Sequence, residues 1–215
     1  RRSALPVIHS AMCRVIRVIS KQFIFSETVS SAIQNIRRHA APNECFSLDM
    51  LGEAAMTSRE ADSFYHAYCV AIEKLGDEQK SNLDFSDSGV SVKLSALYPR
   101  YEIRHHKSAV KFIVKRLKDM CLLAYKQKVS ITIDAEESDR LEISLDIYKE
   151  LFFDDCLDGY LNDIGLGLAV QAYSKRALPV LEYLAKIASI KRRKIPVRLV
   201  KGAYWDSEIK AAQTL

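Results

Sequence analysis

The sequence contains few of the residues that break or brace a fold: its 215 residues include only 7 glycines, 5 prolines and 1 tryptophan. No run approaches the roughly 18 consecutive apolar residues that a membrane-spanning helix requires. The five cysteines lie far apart and form no CxxC motif, which argues against a disulfide framework and a zinc knuckle. No small-residue cleavage site follows an apolar run near the N-terminus, so we expect no secretory signal. These absences favour a cytosolic protein with buried, reduced thiols, no metal centre and no catalytic cysteine.

The charge balance is moderately basic, with a formal net charge of +5 and an isoelectric point near 8.9. The densest basic cluster is Lys191-Arg192-Arg193-Lys194, directly before a predicted strand. Such a cluster is compatible with a nucleic-acid patch, but a solvated loop between a helix and a strand is the commoner explanation. We therefore favour the solvated loop.

Two different patterns divide the chain. Apolar residues recur at helical spacing over residues 1–42, with a polar break at Ser26-Glu27-Thr28, and predict an N-terminal arm of two helices. From residue 43 to residue 215, short apolar strands alternate with amphipathic helices. The five predicted strands span residues 45–51, 90–94, 129–134, 164–170 and 195–200.

Two local signals refine the beginning and the end of the helix that follows the first predicted strand. Thr57-Ser58-Arg59-Glu60 is a capping box and predicts where this helix begins. The polar stretch from Gly76 to Gly89 predicts a loop after it.

Alternating strands and helices fit both a doubly wound sheet and a (β/α)8 barrel. No strand is followed by the GxGxxG turn of a dinucleotide-binding fold. Every predicted strand instead ends in polar residues, as in barrel enzymes that assemble their sites from several strand ends. These residues are Asp49, Lys93, Asp134 with Glu136, Gln171, and Arg198 with Lys201.

We therefore predict an α/β fold, an incomplete (β/α)8 TIM barrel of about five βα units preceded by an N-terminal helical arm. A complete barrel has eight units and typically about 250 residues. This sequence stops inside a predicted helix, so we expect a fragment or one half of a split enzyme.

The stretch Val197–Trp205 is the strongest candidate for a cofactor contact. Arg198 and Lys201 stand three residues apart at a strand end, with Gly202 beside them and an aromatic pair just beyond. A guanidinium stabilises negative charge on a reduced ring, lysine meets phosphate, and aromatic rings stack. Residue types alone leave a charged surface loop as an equal alternative.

A second candidate is the pair Lys93 and Asp134, which end consecutive predicted strands and should lie side by side. A buried lysine beside a carboxylate stays charged and is suited to a substrate carboxylate. A structural ion pair explains the same residues equally well. We expect no metal at Asp134-Ala135-Glu136-Glu137, because no histidine lies nearby and acidic residues commonly begin helices.

Five motifs in order resemble the proline dehydrogenase domain of the bacterial bifunctional proline-utilisation flavoenzymes. The likeness runs from about Pro6 to the end, with Tyr98 departing from the histidine common in that family. The motifs are Phe46–Ala55 (FSLDMLGEAA), Val92–Tyr101 (VKLSALYPRY), Ile133–Glu137 (IDAEE), Val170–Tyr173 (VQAY) and Arg198–Trp205 (RLVKGAYW).

The resemblance implies a (β/α)8 barrel that binds FAD and oxidises L-proline to 1-pyrroline-5-carboxylate. It also implies a role for each matching residue. Lys93 would pair with the proline carboxylate, Asp134 would order the site, and Leu199 and Tyr204 would line the substrate pocket. The implied cofactor contacts are Asp134, Arg198 beside the flavin N5, Gln171 at the pyrimidine edge, Val200, Lys201, Gly202 and Ala203 along the cofactor, and Trp205 towards its adenosine end.

The resemblance further implies parts that these residues do not include. The family's later strands, its substrate-binding arginine pair, its DNA-binding segment and its aldehyde dehydrogenase domain have no counterpart here. The implied partners are L-proline, a membrane quinone as electron acceptor and, in the intact protein, the remaining barrel and the aldehyde dehydrogenase domain. The implied location is the bacterial cytoplasm, with peripheral contact to the inner membrane, and self-association stays open.

We expect little activity from this chain alone and no DNA binding. Two alternatives remain. One is a Schiff-base lyase or aldolase that uses Lys93 or Lys201. The other is a basic nucleic-acid-binding or assembly fragment that uses residues 191–194.

Overall fold

The computed structural model of the chain describes residues 5–20, 22–39, 41, 44–81 and 88–214. Contacts divide it into two compact units, Arg1–Glu44 and Cys45–Leu215. The predicted boundary between residues 42 and 43 lies outside the described residues, so we describe each unit by itself.

The first unit contains the two predicted helices, α1 (Leu5–Ser20) and α2 (Val29–His39). Helix α2 begins after Thr28, whose hydroxyl accepts a hydrogen bond from the backbone N–H of Ser31 at 3.1 Å. It buries Ala32, Ile33 and Ile36 along one face. Helix α1, in contrast, leaves most of its large apolar side chains exposed.

The second unit is a five-stranded parallel sheet with the strands in chain order. Helices follow the strands along the chain, and the result is a half-barrel, which confirms the predicted α/β fold. The strands are β1 (Ser47–Asp49), β2 (Gly89–Val92), β3 (Ser130–Ile133), β4 (Leu166–Gln171) and β5 (Val197–Val200). The helices are α3 (Ser58–Ser81), α4 (His106–Gln127), α5 (Leu141–Phe152), α6 (Asp158–Asp163), α7 (Ala177–Lys191) and α8 (Trp205–Gln213).

The core lies between the helices and the outward face of the central strands. Side chains of a strand alternate between faces, so Val90 and Val92 face the helices while Ser91 faces the barrel interior. Helices α3 and α4 present fully buried apolar side chains to each other and to the sheet. These side chains include Ile72, Leu75, Ile113, Leu117 and Met120. Burial of each contributes roughly 1.5–3 kcal/mol, before the entropy of ordering is subtracted.

The predicted loop from Gly76 to Gly89 is wrong at its beginning, because α3 continues to Ser81. Residues 82–87 of that loop lie outside the described residues. Gly76 stays helical for a packing reason: a Cβ there would lie 2.5 Å from the Cβ of Gln127, at the end of α4. The glycine therefore allows two helices to approach closely and does not end one. The capping box is confirmed, since Glu60 N–H donates to the Thr57 hydroxyl at 3.2 Å and Thr57 N–H donates to the Glu60 carboxylate at 3.1 Å.

In the part of the chain that the structure describes, the short helix α6 and four 3-10 turns were not predicted. The turns are Leu94–Ala96, Ile103–His105, Ser138–Arg140 and Asp155–Leu157. Each has three residues, too few to show a hydrophobic period in the sequence.

The prediction of buried thiols holds for Cys121 and fails for most of the others. Cys13, Cys45 and Cys156 are exposed and Cys69 is half-buried. Cys121 alone lies on the inward face of α4, where burial raises the pKa of its thiol. Among the described residues, no helix is both long enough and apolar enough to cross a bilayer.

Candidate active site

Charged side chains from four strands meet at the carboxyl edge of the sheet. Lys93 directly follows β2, and its Nζ lies 2.6 Å from Oδ1 of Asp49 in β1 and 3.2 Å from Oδ2 of Asp134, directly after β3. The predicted adjacency of Lys93 and Asp134 is confirmed. Both side chains are only 16% exposed.

Arg198 crosses the barrel interior from β5. Its Nη1 donates to Ser91 Oγ at 2.8 Å and lies 3.4 Å from Asp134 Oδ1, while Nη2 donates to Ser47 Oγ at 3.0 Å. One guanidinium therefore joins β5 to β1, β2 and the end of β3. We call Asp49, Lys93, Asp134 and Arg198 the charge cluster.

The charge cluster fixes the protonation of its lysine. Burial by itself would lower the pKa of Lys93, but the hydrogen bond to Asp49 and the charge of Asp134 outweigh burial and raise that pKa. Lys93 is therefore a firmly held ammonium ion. For Asp134, burial raises the pKa of the carboxyl, and the charges of Lys93 and Arg198 oppose this rise.

A chain of hydrogen bonds connects the loops behind this edge. Ser95, after β2, accepts the N–H of Ala54 at 2.9 Å. Ser95 also donates to the Glu136 carboxylate through its hydroxyl and, at 3.1 Å, through its N–H. Gln171 Nε2 donates to the Glu136 carbonyl at 2.8 Å, and Gln171 Oε1 accepts the N–H of Ala203 at 3.1 Å. Every strand-end loop is thus tied to its neighbour.

Glu136 is the buried centre of this chain, with a side chain only 4% exposed. Burial raises the pKa of its carboxyl, and the two hydrogen bonds from Ser95 oppose the rise. A buried carboxylate is stable only when its oxygens are paired, which explains why Ser95 gives it both donors.

The loop after β5 follows the residues after β4. Ala172 N–H donates to the Val200 carbonyl at 2.7 Å, and Tyr173 N–H donates to the Lys201 carbonyl at 3.3 Å. Gly202 has φ +116°, and a Cβ there would lie 2.1 Å from the ring of Tyr173. This position requires glycine because the backbone passes close to an aromatic ring as well as adopting a left-handed φ.

The remaining predicted site residues are less tightly held. Tyr204 is half-buried, and burial, followed by the charge of Glu53, raises the pKa of its hydroxyl to about 12. Lys201, Ala203 and Trp205 are exposed. Leu199 pairs with Val170, on the face opposite to Arg198, and is 59% exposed. The structure therefore does not bring Leu199 to the charge cluster.

The basic stretch 191–194 lies before β5, at the opposite end of the strand from this edge. Two of its four charges are already paired. Lys191 Nζ lies 3.0 Å from Asp155, and Arg193 Nη2 lies 2.5 Å from Asp158. These pairs favour the solvated loop over a nucleic-acid patch.

Sequence reasoning missed the serine partners of Arg198. Ser91 stands two residues before Lys93 in β2, so period-two alternation already places it on the same face. Nothing in the sequence indicates that a strand 107 residues further along the chain supplies its partner.

Comparisons with known proteins show which proteins the chain is similar to. The sequence profile described as proline dehydrogenase matches residues 32–215. The bifunctional protein PutA of Escherichia coli K12 is 42% identical over 212 residues, which cover 99% of this chain and 16% of that protein. This chain thus spans about a sixth of that relative's length.

Two solved structures resemble the chain. The Bradyrhizobium japonicum proline utilization A mutant D778Y is 42% identical, with a TM-score of 0.75, over 88% of this chain and 19% of the other. Proline utilization A from Bdellovibrio bacteriovorus has a TM-score of 0.89 at 24% identity over 97% of this chain and 22% of the other, which shows the shared fold alone. The chain belongs to the proline dehydrogenase family.

Proposed function

We propose that this domain, within a longer polypeptide, oxidises L-proline to 1-pyrroline-5-carboxylate with FAD. The observation that carries the proposal is the charge cluster, in which Asp134 contacts both Lys93 and Arg198. Asp49 and Asp134 hold the two cations, Lys93 and Arg198, in fixed positions, where their remaining N–H donors suit an anionic substrate group and an anionic cofactor. The family membership narrows the substrate to proline.

Lys93 is suited to the carboxylate of proline. An ammonium group has three N–H donors, and Asp49 and Asp134 accept two of them. The third remains for a substrate oxygen. Because Asp49 and Asp134 fix the direction of the ammonium, substrate binding orders no flexible lysine and loses little entropy.

The residues at this edge also fit FAD. A guanidinium has five N–H donors; contacts with Ser91, Asp134 and Ser47 engage three, so two remain. Gln171 retains one amide N–H and one oxygen lone pair beyond its bonds to Glu136 and Ala203. We infer that Arg198 and Gln171 hold the ring, that Val200–Ala203 run along the cofactor, and that Lys201 and Trp205 serve its phosphate and adenosine end.

The chemistry divides between cofactor and protein. Bound FAD supplies the acceptor for the hydride that leaves the ring carbon next to nitrogen. The proline nitrogen also loses a proton to solvent, and the loss of hydride and proton together leaves a carbon–nitrogen double bond. Lys93 orients the carboxylate, Arg198 stabilises the negative charge of the reduced ring, and Asp134 holds both cations in place.

We further infer the setting of the intact protein. It carries the remainder of the barrel and the aldehyde dehydrogenase domain that the resemblance implies, which fits relatives named as bifunctional proteins. It passes electrons to a quinone and therefore works in the cytoplasm beside the inner membrane. An isolated 215-residue chain has little activity, because its described residues form five strands of a barrel that usually has eight.

The Schiff-base alternative is disfavoured at Lys93. A nucleophilic lysine must lose its proton, whereas Asp49 and Asp134 raise the pKa of Lys93. Borohydride trapping of a carbonyl substrate on the full polypeptide should therefore leave Lys93 unlabelled.

The direct test is anaerobic mixing of L-proline with the full polypeptide loaded with FAD. We expect loss of the oxidised flavin absorbance and formation of 1-pyrroline-5-carboxylate. Lys93→Met should raise KM for proline by at least about a hundredfold, the equivalent of ~2.7 kcal/mol of lost charge pairing. Lys118→Met, far from this edge on α4, is the matched control and should leave KM unchanged. An unchanged flavin spectrum in the unaltered protein would contradict the proposal.

A further inference from the structure

The two serines that hold Arg198 have no role in the proposed function so far. Ser91 is 1% exposed and lies at the centre of β2, where a parallel strand ordinarily carries apolar residues. Its hydroxyl lies 3.1 Å from that of Ser47 in β1 and accepts from Arg198 at 2.8 Å. Ser47 accepts from the same guanidinium at 3.0 Å.

These contacts constrain the orientation of the guanidinium. Nη1 donates to Ser91 and Nη2 donates to Ser47, so the serine pair fixes both terminal nitrogens of a planar group. The contact from Nη1 to Asp134 is longer, at 3.4 Å. Arg198 is therefore held mainly by neutral hydroxyls, and its positive charge is only partly compensated by Asp134.

Without the hydroxyl of Ser91, the guanidinium would keep its anchor at Ser47 and turn towards Asp134. A closer Arg198–Asp134 pair would cancel more of the positive charge at the edge of the sheet. It would also compete with Lys93, which shares the same carboxylate. The serines thus set how much of the positive charge of Arg198 stays uncompensated by Asp134.

We propose that Ser47 and Ser91 are positioning residues that orient Arg198 and hold it back from a full ion pair with Asp134. The inference rests on the proposed function, because the charge they preserve serves the reduced flavin. In this role each serine acts through Arg198, to which its hydroxyl is hydrogen-bonded. The role also explains why a polar side chain occupies the fully buried strand β2.

The test compares Ser91→Ala and Ser47→Ala with the unaltered full polypeptide, purified with FAD. The main measurement is the midpoint potential of the bound flavin. We expect a shift to more negative potential in both variants, larger for Ser91→Ala, because less positive charge stabilises the reduced ring. The rate of flavin reduction should fall about tenfold in Ser91→Ala, equivalent to ~1.4 kcal/mol in the barrier, while KM for proline changes by less than about threefold.

Two further variants separate positioning from folding. Ser130→Ala is the control: it removes a hydroxyl of β3 that faces the barrel interior, as Ser91 does. This hydroxyl lies 3.5 Å from the Ser88 carbonyl, and its removal should leave the flavin potential unchanged. Ser91→Thr keeps a hydroxyl and should restore most of the potential. Because Ser47 is exposed, Ser47→Ala should fold even if a Ser91 variant does not. The flavin potential of Ser47→Ala then decides whether the serines position Arg198.

The outcomes distinguish the two proposals. If L-proline fails to reduce the flavin of the unaltered protein, the proposed function is wrong. If proline reduces it but Ser47→Ala and every folded Ser91 variant keep the original potential, the proposed function stands and the positioning role is wrong. Equal shifts in Ser130→Ala and Ser91→Ala would also overturn the positioning role.

Discussion

Strands β2 and β5 have the same length and lie in the same sheet, yet their environments are opposite. All four residues of β2 are buried, whereas β5 alternates between exposed and half-buried residues. Val92 in β2 is 0% exposed and Leu199 in β5 is 59% exposed. Hydrophobic side chains of similar size on the same face of one sheet thus have very different surroundings.

The difference comes from neighbours and not from the strands' own sequences. Strand β2 lies between β1 and β3 and is covered by α3. Strand β5 pairs only with β4 within the described sheet. Helix α8 follows β5, and no residue of α8 is buried. The contribution of a strand residue to stability should therefore depend on strand position far more than on residue type.

The largest expected effect comes from placing the same charge in both strands of the 215-residue chain. Val92→Lys should lower the free energy of unfolding by more than about 4 kcal/mol, because it buries an unpaired ammonium. Leu199→Lys should change it by less than about 0.5 kcal/mol, because the new side chain reaches water. Urea denaturation followed by circular dichroism measures both. Equal losses would show that β5 is covered in solution.

A smaller effect should come from removing either of two tyrosine hydroxyls. That of Tyr68 bonds the backbone directly after β2, and that of Tyr173 bonds α8, the helix that follows β5. Tyr68, 1% exposed, accepts the N–H of Lys93 at 3.2 Å, and Tyr173 donates to Glu208 at 2.6 Å. Tyr68→Phe should cost about 1–2 kcal/mol, because it leaves a buried N–H unpaired. Tyr173→Phe should cost less than about 1 kcal/mol, because Glu208 is only half-buried and regains water. Thermal unfolding of the two variants side by side decides whether the order is correct.

The smallest effect should come from ion pairs on the helices nearby. In the pair of Lys118 on α4 with Asp154 the side chains are 30% and 22% exposed, and in the pair of Lys191 on α7 with Asp155 they are 24% and 85% exposed. Lys118→Met should lower the free energy of unfolding by less than about 1 kcal/mol, and Lys191→Met by less still.

The Lys118 pair also predicts a pH dependence. The hydrogen bond from Lys118 lowers the pKa of the Asp154 carboxyl. A lowered folded-state pKa gives stability above the ordinary pKa of aspartate, and this stability is lost as the pH falls through the folded value. The difference between Lys118→Met and the unaltered chain should therefore disappear in acid. A difference that persists there would contradict the ion pair with Asp154 as its source.

Much of the fold could be predicted because the signals are local. Alternation in Val129–Asp134 gave β3, and the capping box at Thr57 gave the beginning of α3. The end of α3 was mispredicted, because Gly76 resembles a helix terminator in sequence and is a packing residue in the structure. The exposed thiols were mispredicted because cysteine burial depends on which helix face is covered.

The candidate site was predictable only in part. Strand ends in a parallel sheet meet at one edge, so the adjacency of Lys93 and Asp134 followed from their positions in the chain. The buried link from Ser95 through Glu136 to Gln171 could not be predicted in this way, because its members come from three separate strand ends. The roles of Leu199, Lys201 and Trp205 stay predictions.

The sequence by itself determined that strands and helices alternate and that each strand ends in a polar residue, since both are periodic or local features. Tertiary structure alone decided that Arg198 reaches Ser91 and Ser47, across 107 and 151 residues of chain. The physical reason is that strand period fixes the face on which a side chain lies, whereas the curvature of the sheet fixes what that side chain meets. The charge at the edge of this half-barrel is therefore a property of how the strands are arranged.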